Sequence, residues 1–301
     1  MIPKRSAFGI PAVLVVLLLV SCATGMTREQ LAAEYFNIGN GFLELERPDE
    51  ASEYFVRALD LDPSLRAAEF NLARAYADAG RYTDAREVLE LLLDVDPENT
   101  LVLRSYGFVM YRLGYPEEAV ESFEAVIDAN PADADSWFNL SLLARERGDM
   151  DEAYRTIRRA RDLEPSADDI LVEYALIAHD RDDPEARDLL DEAYEVAPED
   201  TRVLSAFSER SFETGEFAQA RDLSDELVSR EPEVGAHHFL QARISFVGIE
   251  DSERAVVSLR QALERDFRDE AAIATLLDEL ETDDRELVEA LLADYGLGGD
   301  E

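Results

Sequence analysis

Cysteine is nearly missing from this sequence: Cys22 is the only one in 301 residues. That excludes an internal disulfide and any metal site built from several thiolates. Histidine is almost as scarce, with only His179, His237 and His238. His237 and His238 are adjacent, so on a helix they point in different directions and offer no metal-ligand spacing. Positive charge is short as well. Lys and Arg number 29 against 68 Asp and Glu, a formal net charge of −39, and Lys4 is the sole lysine. Nucleic acid is thereby excluded as a partner, because binding it needs a basic footprint. There is no phosphate-cradling glycine loop. Carboxylate pairs are unavoidable at this acid content and carry no catalytic information. The reading is therefore a non-enzyme, with no catalytic residues, no metal and no cofactor. What the chain does have is 47% apolar residues, spread along its length. That is ample for a core and argues against disorder.

Residues 1–21 read as a targeting segment. Lys4 and Arg5 make a short positive start, and an apolar run from Ala7 to Val20 follows. The run matches a signal-peptide core and falls short of the roughly 20 residues a spanning helix needs. It ends in Leu19-Val20-Ser21-Cys22, which resembles the lipobox of bacterial lipoproteins. The resemblance implies that Cys22 receives a diacylglyceryl group on its sulfur, that residues 1–21 are removed, and that the new amino terminus is acylated. The competing reading is an uncleaved anchor helix with an incidental cysteine. Several acyl chains on one residue anchor stably, where a single chain does not. Ala23 stands where an aspartate would, in enteric-type bacteria, keep a lipoprotein on the inner membrane. The implied location is extracytoplasmic, on the outer membrane of a cell with two. Residues 22–31 are then the lipidated cysteine and a short tether.

The rest of the chain repeats. Prolines recur at Pro63, Pro97, Pro131, Pro165, Pro198 and Pro232, and alanines at Ala51, Ala85, Ala119, Ala153, Ala186, Ala220 and Ala255. Two residue types keep one period of about 34 residues. Each unit has the same grammar. In residues 134–165, Trp137, Leu140, Ser141 and Ala144 recur at helical spacing, and Gly148 stops that helix. Asp151 and Glu152 open a second helix, where acids suit the amino-terminal dipole. Ala153, Ile157 and Ala160 form its buried stripe, and Pro165 closes the unit. This grammar resembles the tetratricopeptide repeat. The resemblance covers residues 32–268 and implies an all-α, right-handed α-solenoid of about seven helix pairs. The fifth copy has no turn glycine (Asp180-Arg181-Asp182-Asp183-Pro184), and the seventh, which keeps Gly248, has one extra turn residue and no closing proline. Thr27 and Gln30 have capping-box spacing at the start. Residues 269–301 hold a C-terminal capping helix pair and a tail. Ile273, Leu276, Leu277 and Leu280 lie on one helix. Leu287, Val288, Leu291, Leu292 and Tyr295 lie on the other.

In tetratricopeptide-repeat proteins the first helix of each pair lines a groove that usually takes an extended or helical peptide. Carried onto this sequence, the register places Phe36, Asn40, Phe70, Asn71, Arg74, Arg104, Phe108, Tyr111, Arg112, Phe138, Asn139 and Arg145 on that face. Arginine forks suit carboxylates, asparagine suits a peptide backbone, and aromatics are common binding hot spots. The candidate partner is an envelope protein or peptide segment with acidic character. The competing reading makes the aromatics inter-repeat core and the arginines local charge balance. In later copies the face carries Glu173, His179, Glu209, Phe212 and Glu213, so it turns acidic. A subclass of the family clamps chaperone carboxyl termini with lysines, arginine and asparagines. Asn40 and Asn71 match that clamp, but Phe36 stands in place of its first lysine, and that ligand is not expected. A second basic cluster, Arg155, Arg158, Arg159 and Arg161, falls on the second helix of the fourth repeat. It reads either as a solvated face paired with Asp151, Glu152 and Asp162 or as a docking patch. The acidity itself suits a salt-rich environment or the steering of a basic partner.

Together these features predict a lipid-anchored scaffold or adaptor that mediates protein–protein interactions in the bacterial envelope. It resembles repeat lipoproteins that assist pilus-secretin assembly, outer-membrane protein insertion or control of wall hydrolases. The alternative is an accessory ligand-binding lipoprotein of a solute transporter.

Overall fold

A computed structural model describes residues 26–297. The segment 1–21, Cys22 and the last four residues lie outside the described residues. Among the described residues there are sixteen α-helices, one π-helical turn and no strand. The chain divides into two compact units, residues 1–131 and 132–301.

In the first unit, α1 (Arg28–Glu44) pairs with α2 (Pro48–Leu61), α3 (Arg66–Asp78) with α4 (Tyr82–Val95), and α5 (Thr100–Leu113) with α6 (Pro116–Ala129). In the second, α7 (Ala134–Glu146) pairs with α8 (Met150–Leu163), α9 (Asp168–Asp180) with α10 (Ala186–Val196), and α11 (Thr201–Glu213) with α12 (Phe217–Arg230). There α13 (Gly235–Arg243), continued by the π-turn Ile244–Gly248, pairs with α14 (Ser252–Glu264), and α15 (Glu270–Glu279) and α16 (Thr282–Asp294) follow as the cap. Within each unit successive pairs stack in series, the solenoid packing that the period predicts.

Local chemistry starts many of the helices. Thr27 and Gln30 form the expected reciprocal capping box at α1. α1 begins at Arg28, four residues before the position where the repeat resemblance begins. Asn99, Asp133, Asp149, Asp200, Asp251 and Asp269 cap α5, α7, α8, α11, α14 and α15 through their side chains. Pro48 and Pro116 occupy first-turn positions of α2 and α6, where a missing N–H costs nothing.

The periodic alanines mark where the helices of a pair press together. Ala51, Ala85, Ala119, Ala153, Ala186, Ala220 and Ala255 are all fully buried. A second register lies alongside, coupling size on the first helix to size on the second. Gly39 faces Phe55, and a Cβ at Gly39 would lie 2.6 Å from the ring; Gly107 faces Phe123 at 3.0 Å. The same slots hold Ala73 with Leu89, Ser141 with Ile157, Ala175 with Leu190 and Ala242 with Leu259, all buried. The largest side chain meets the residue with none, and leucine or isoleucine meets alanine or serine; the sixth copy departs from this, holding Ser208 with Ser224, both buried. Close packing demands that complementarity.

The turn between paired helices needs one residue in the left-handed region. Gly80, Gly114, Gly148 and Gly215 fill it at φ of 73–83°. In the other copies Glu46 (φ 55°), Asp182 (φ 55°) and Glu250 (φ 58°) take the same slot. Gly248, retained in the sequence register as a turn glycine, does not. It ends the π-turn, where the Ile249 N–H bonds the Ile244 carbonyl at 3.1 Å, and that wider turn absorbs the seventh copy's extra residue. A Cβ on Gly248 would lie 2.6 Å from the Phe217 ring, so close approach explains this glycine. A side chain in the left-handed region costs about 1–2 kcal/mol, partly offset by the greater unfolded-state freedom of glycine. Glu46→Gly, Asp182→Gly and Glu250→Gly are each expected to stabilise the chain by about 0.5–1 kcal/mol, read as a higher urea midpoint. A lower midpoint for all three would contradict the shared slot.

In the cap, Ile273 and Leu276 of α15 pack with Val288, Leu291 and Leu292 of α16. Leu287, grouped with that stripe in the sequence, is exposed instead. It sits on the solvent side of α16, the last helix among the described residues.

Candidate functional site

The first-helix face of residues 28–129 is built by α1, α3 and α5. Phe36 turns toward the core, its ring centroid 5.9 Å from that of Phe55. Phe70 packs against the buried cluster of Ala73, Leu89 and Val102. These two aromatics therefore serve mainly as packing. Between them Asn71 Nδ2 donates to Asn40 Oδ1 at 2.7 Å, an amide bridge from one repeat to the next. Arg74 is exposed and makes no hydrogen bond or ion pair among the described residues. Arg104 and Tyr111 are half-buried and already engaged within the chain.

Arg112 is held differently. Its guanidinium lies 4.6 Å from the Tyr82 ring centroid and 5.6 Å from that of Phe108, and those rings meet edge to face at 6.4 Å. Phe108 is 36% exposed. Arg112 makes no hydrogen bond or ion pair among the described residues. Two aromatic rings thus orient a cation whose N–H groups stay available for an anion. Tyr82 was absent from the sequence-derived site because it opens α4, a second helix.

In the second unit the same face is closed by its own charges. Phe138 packs against the cluster of Ala134, Ile157 and Ile177. Asn139 Nδ2 donates to the Asp135 carbonyl of its own helix at 2.7 Å. Arg145 reaches Glu173 at 3.1 Å and Asp180 at 2.8 Å. Burial works against the Arg145 charge, but the nearby Glu173 and Asp180 carboxylates outweigh it and raise its pKa. Glu173 also meets Arg202 at 3.8 Å. Further along, Arg210 bonds the His179 carbonyl at 3.2 Å and pairs with Asp182 and Glu213, while His179 Nε2 stands 3.5 Å from Glu209. Phe212 is buried. Of the sequence-derived arginines, Arg74 and Arg112 thus remain unpaired, while Arg145 is committed to the fold. The importance of Glu173 was missed, although a lone acid within the apolar run Ile170–Ala178 is a readable signal.

The described residues contain no group of three or more His, Cys, Asp or Glu side chains arranged to hold a metal ion. None of their helices is long and apolar enough to cross a membrane.

Comparison with known proteins agrees with the geometry. Family models for the tetratricopeptide repeat match residues 42–105 and 107–133, and the cytochrome c-type biogenesis protein H TPR domain matches residues 125–233. No curated protein matches the chain. Among solved structures it is similar to a tetratricopeptide repeat protein from Parabacteroides merdae, at 17% identity over 83% of this chain and 98% of that one, with a TM-score of 0.57. It is also similar to Pseudomonas aeruginosa pilF, at 19% identity over 71% and 97%, with a TM-score of 0.60. A thermophilic tetratricopeptide repeat protein of Thermus thermophilus gives 23% identity over 59% and 97%, with a TM-score of 0.50. At these identities the likeness is one of fold. Tetratricopeptide repeats generally mediate protein–protein interactions. The chain is a tandem array of tetratricopeptide repeats.

Proposed function

We propose that the protein is a lipid-anchored, extracytoplasmic scaffold of the bacterial envelope that takes an acidic segment of another protein on the first-helix face of residues 28–129. The observation that carries this reading is Arg112, oriented by Tyr82 and Phe108 yet without a carboxylate partner. Acids exceed bases by more than two to one in this chain, so an unpaired, ring-held arginine is not explained by a shortage of partners. Arg74 lies on the same face by register and is also unpaired, and the Asn40–Asn71 bridge offers amide groups to a backbone. A family model named for a biogenesis protein, matched at residues 125–233, supports a protein partner over a small solute. The anchor rests on Leu19-Val20-Ser21-Cys22, and Ala23 favours the outer membrane where there are two.

Two experiments test the halves separately. Cys22→Ser is expected to abolish palmitate labelling and release the protein from membranes; labelling that persists in the variant would sink the anchor. For the face, a photo-crosslinking phenylalanine analogue at Phe108 of the lipidated protein is expected to trap a partner in cells. Arg74→Ala and Arg112→Ala together should remove that adduct while helicity is retained. Each lost charge-assisted contact is worth about 1.5–3 kcal/mol. An adduct of undiminished yield in the double variant would show that the partner does not use these arginines, and no adduct from the wild-type face would place the partner elsewhere.

A further inference from the structure

The second basic cluster has a structure of its own. On α8, Arg155, Arg158 and Arg159 line an open cavity of about 600 Å³ together with Tyr154, Asp162 and Trp137 of α7. Trp137 is the only tryptophan in the chain. It is half-buried, seated on the core of Ala134, Ile157 and Ile177. Tyr154 is fixed too: its hydroxyl lies 3.3 Å from that of Tyr174, with the Arg181 guanidinium 4.6 Å from its ring centroid. Two packed aromatic rings thus form the floor of the cavity, with the arginines around it.

The arginines around that floor divide into two kinds. Arg155 pairs with Glu152, and Arg161 reaches Glu192 at 3.7 Å. Arg158 and Arg159 are exposed and make no ion pair or hydrogen bond among the described residues. Arg158 only leans over Tyr154, 5.7 Å from the ring centroid. Asp162 is the one acid of the wall, and it pairs with neither. Two adjacent unpaired cations beside a Trp–Tyr floor combine the three residue types most enriched at binding hot spots.

We propose that this cavity, on the second-helix side of the fourth repeat, is a separate docking site for a carboxylate-rich protein segment that carries an apolar side chain. Arg158 and Arg159 bind the carboxylates through their forks, and the apolar side chain lies on Trp137 and Tyr154. Charge complementarity selects this occupant. The chain's net charge of −39 opposes lying on an anionic bilayer or a nucleic acid, whose charge extends well beyond the cavity. A short acidic segment meets the local positive field within a Debye length, about 10 Å at 0.1 M salt. The aromatic floor has no role in binding a bare anion.

Trp137 is the sole tryptophan and lines the cavity, so its fluorescence reports binding there. The test titrates the full chain with a blocked synthetic octapeptide of glutamates and aspartates around one central phenylalanine. A saturable change in Trp137 emission is expected, weakened by added salt. Arg158→Ala and Arg159→Ala should each weaken binding about tenfold or more, and both side chains are exposed, so the circular dichroism should not change. Arg74→Ala/Arg112→Ala should leave this titration untouched, which separates the site from the first-helix face. No saturable change, or wild-type affinity in the Arg158→Ala/Arg159→Ala variant, would overturn the proposal. An equal response to inorganic phosphate, or to phosphatidylglycerol vesicles in place of the peptide, would overturn it too, in favour of a simple anion site or a membrane contact.

Discussion

Arg145→Ala is expected to cost the folded chain about 3 kcal/mol, with Glu173→Gln costing far less. The asymmetry follows from burial. The Glu173 side chain is 3% exposed, and Arg145, 29% exposed, is its close partner at 3.1 Å. The other cation, Arg202, stands at 3.8 Å and is 60% exposed, so it compensates weakly. Removing Arg145 leaves a carboxylate inside the α9 packing with most of its compensation gone. Removing the Glu173 charge instead leaves Arg145 with Asp180 at 2.8 Å and with access to solvent. An Arg145→Met/Glu173→Leu pair should regain most of the loss, because replacing both members of a buried ion pair by apolar groups is close to neutral. Urea melts of the full chain measure all three. Equal costs for the two single substitutions, or no recovery in the pair, would show that the ion pair does not stabilise α9 as argued.

Phe123→Ala should cost more, about 3–5 kcal/mol. The ring is fully buried, and the first-helix residue it covers is Gly107, which has no side chain to move into the space. The cavity therefore stays open, and the loss lies at the upper end for this substitution. The paired slots also specify a repair. The neighbouring repeat holds Ala73 with Leu89 in the positions of Gly107 with Phe123. Phe123→Leu should cost about 1–2 kcal/mol, and adding Gly107→Ala should return most of it. The added methyl fills the space left by the smaller side chain, and alanine is favoured over glycine in a helix by about 1 kcal/mol. Gly107→Ala alone should not realise that gain, because its Cβ would lie 3.0 Å from the Phe123 ring. A double-mutant cycle with no coupling would be the contrary result.

The repeat grammar made the fold legible because each element of it is a local or nearest-neighbour constraint. Burial of the periodic alanines, the capping box at Thr27 and the cap of α15 and α16 follow from such constraints. The failures are equally specific. Gly248 fits the period as a turn glycine, yet a π-turn displaces the left-handed position to Glu250. An extra residue can be absorbed either in the turn or in the helix, and the sequence does not choose. The candidate face was legible only as a register. Placing twelve residues on first helices says nothing about which of them are already engaged.

By itself, then, the sequence determined the all-helical array, its period and the helix pairs, because spacing, caps and small residues act over a turn or between adjacent helices. The size matching of Gly39 with Phe55 and of Gly107 with Phe123 came only with the packing, which brings each glycine against its ring. Only the tertiary structure decided which cations are engaged. Arg145, Arg112 and Arg158 are all helical arginines in an acidic chain. One is committed to a buried glutamate, one is held by two rings, and one stands beside the only tryptophan. The reason is range. Helix formation is fixed by neighbours along the chain, but an ion pair depends on which carboxylate a different helix brings within about 4 Å, and that is set by packing.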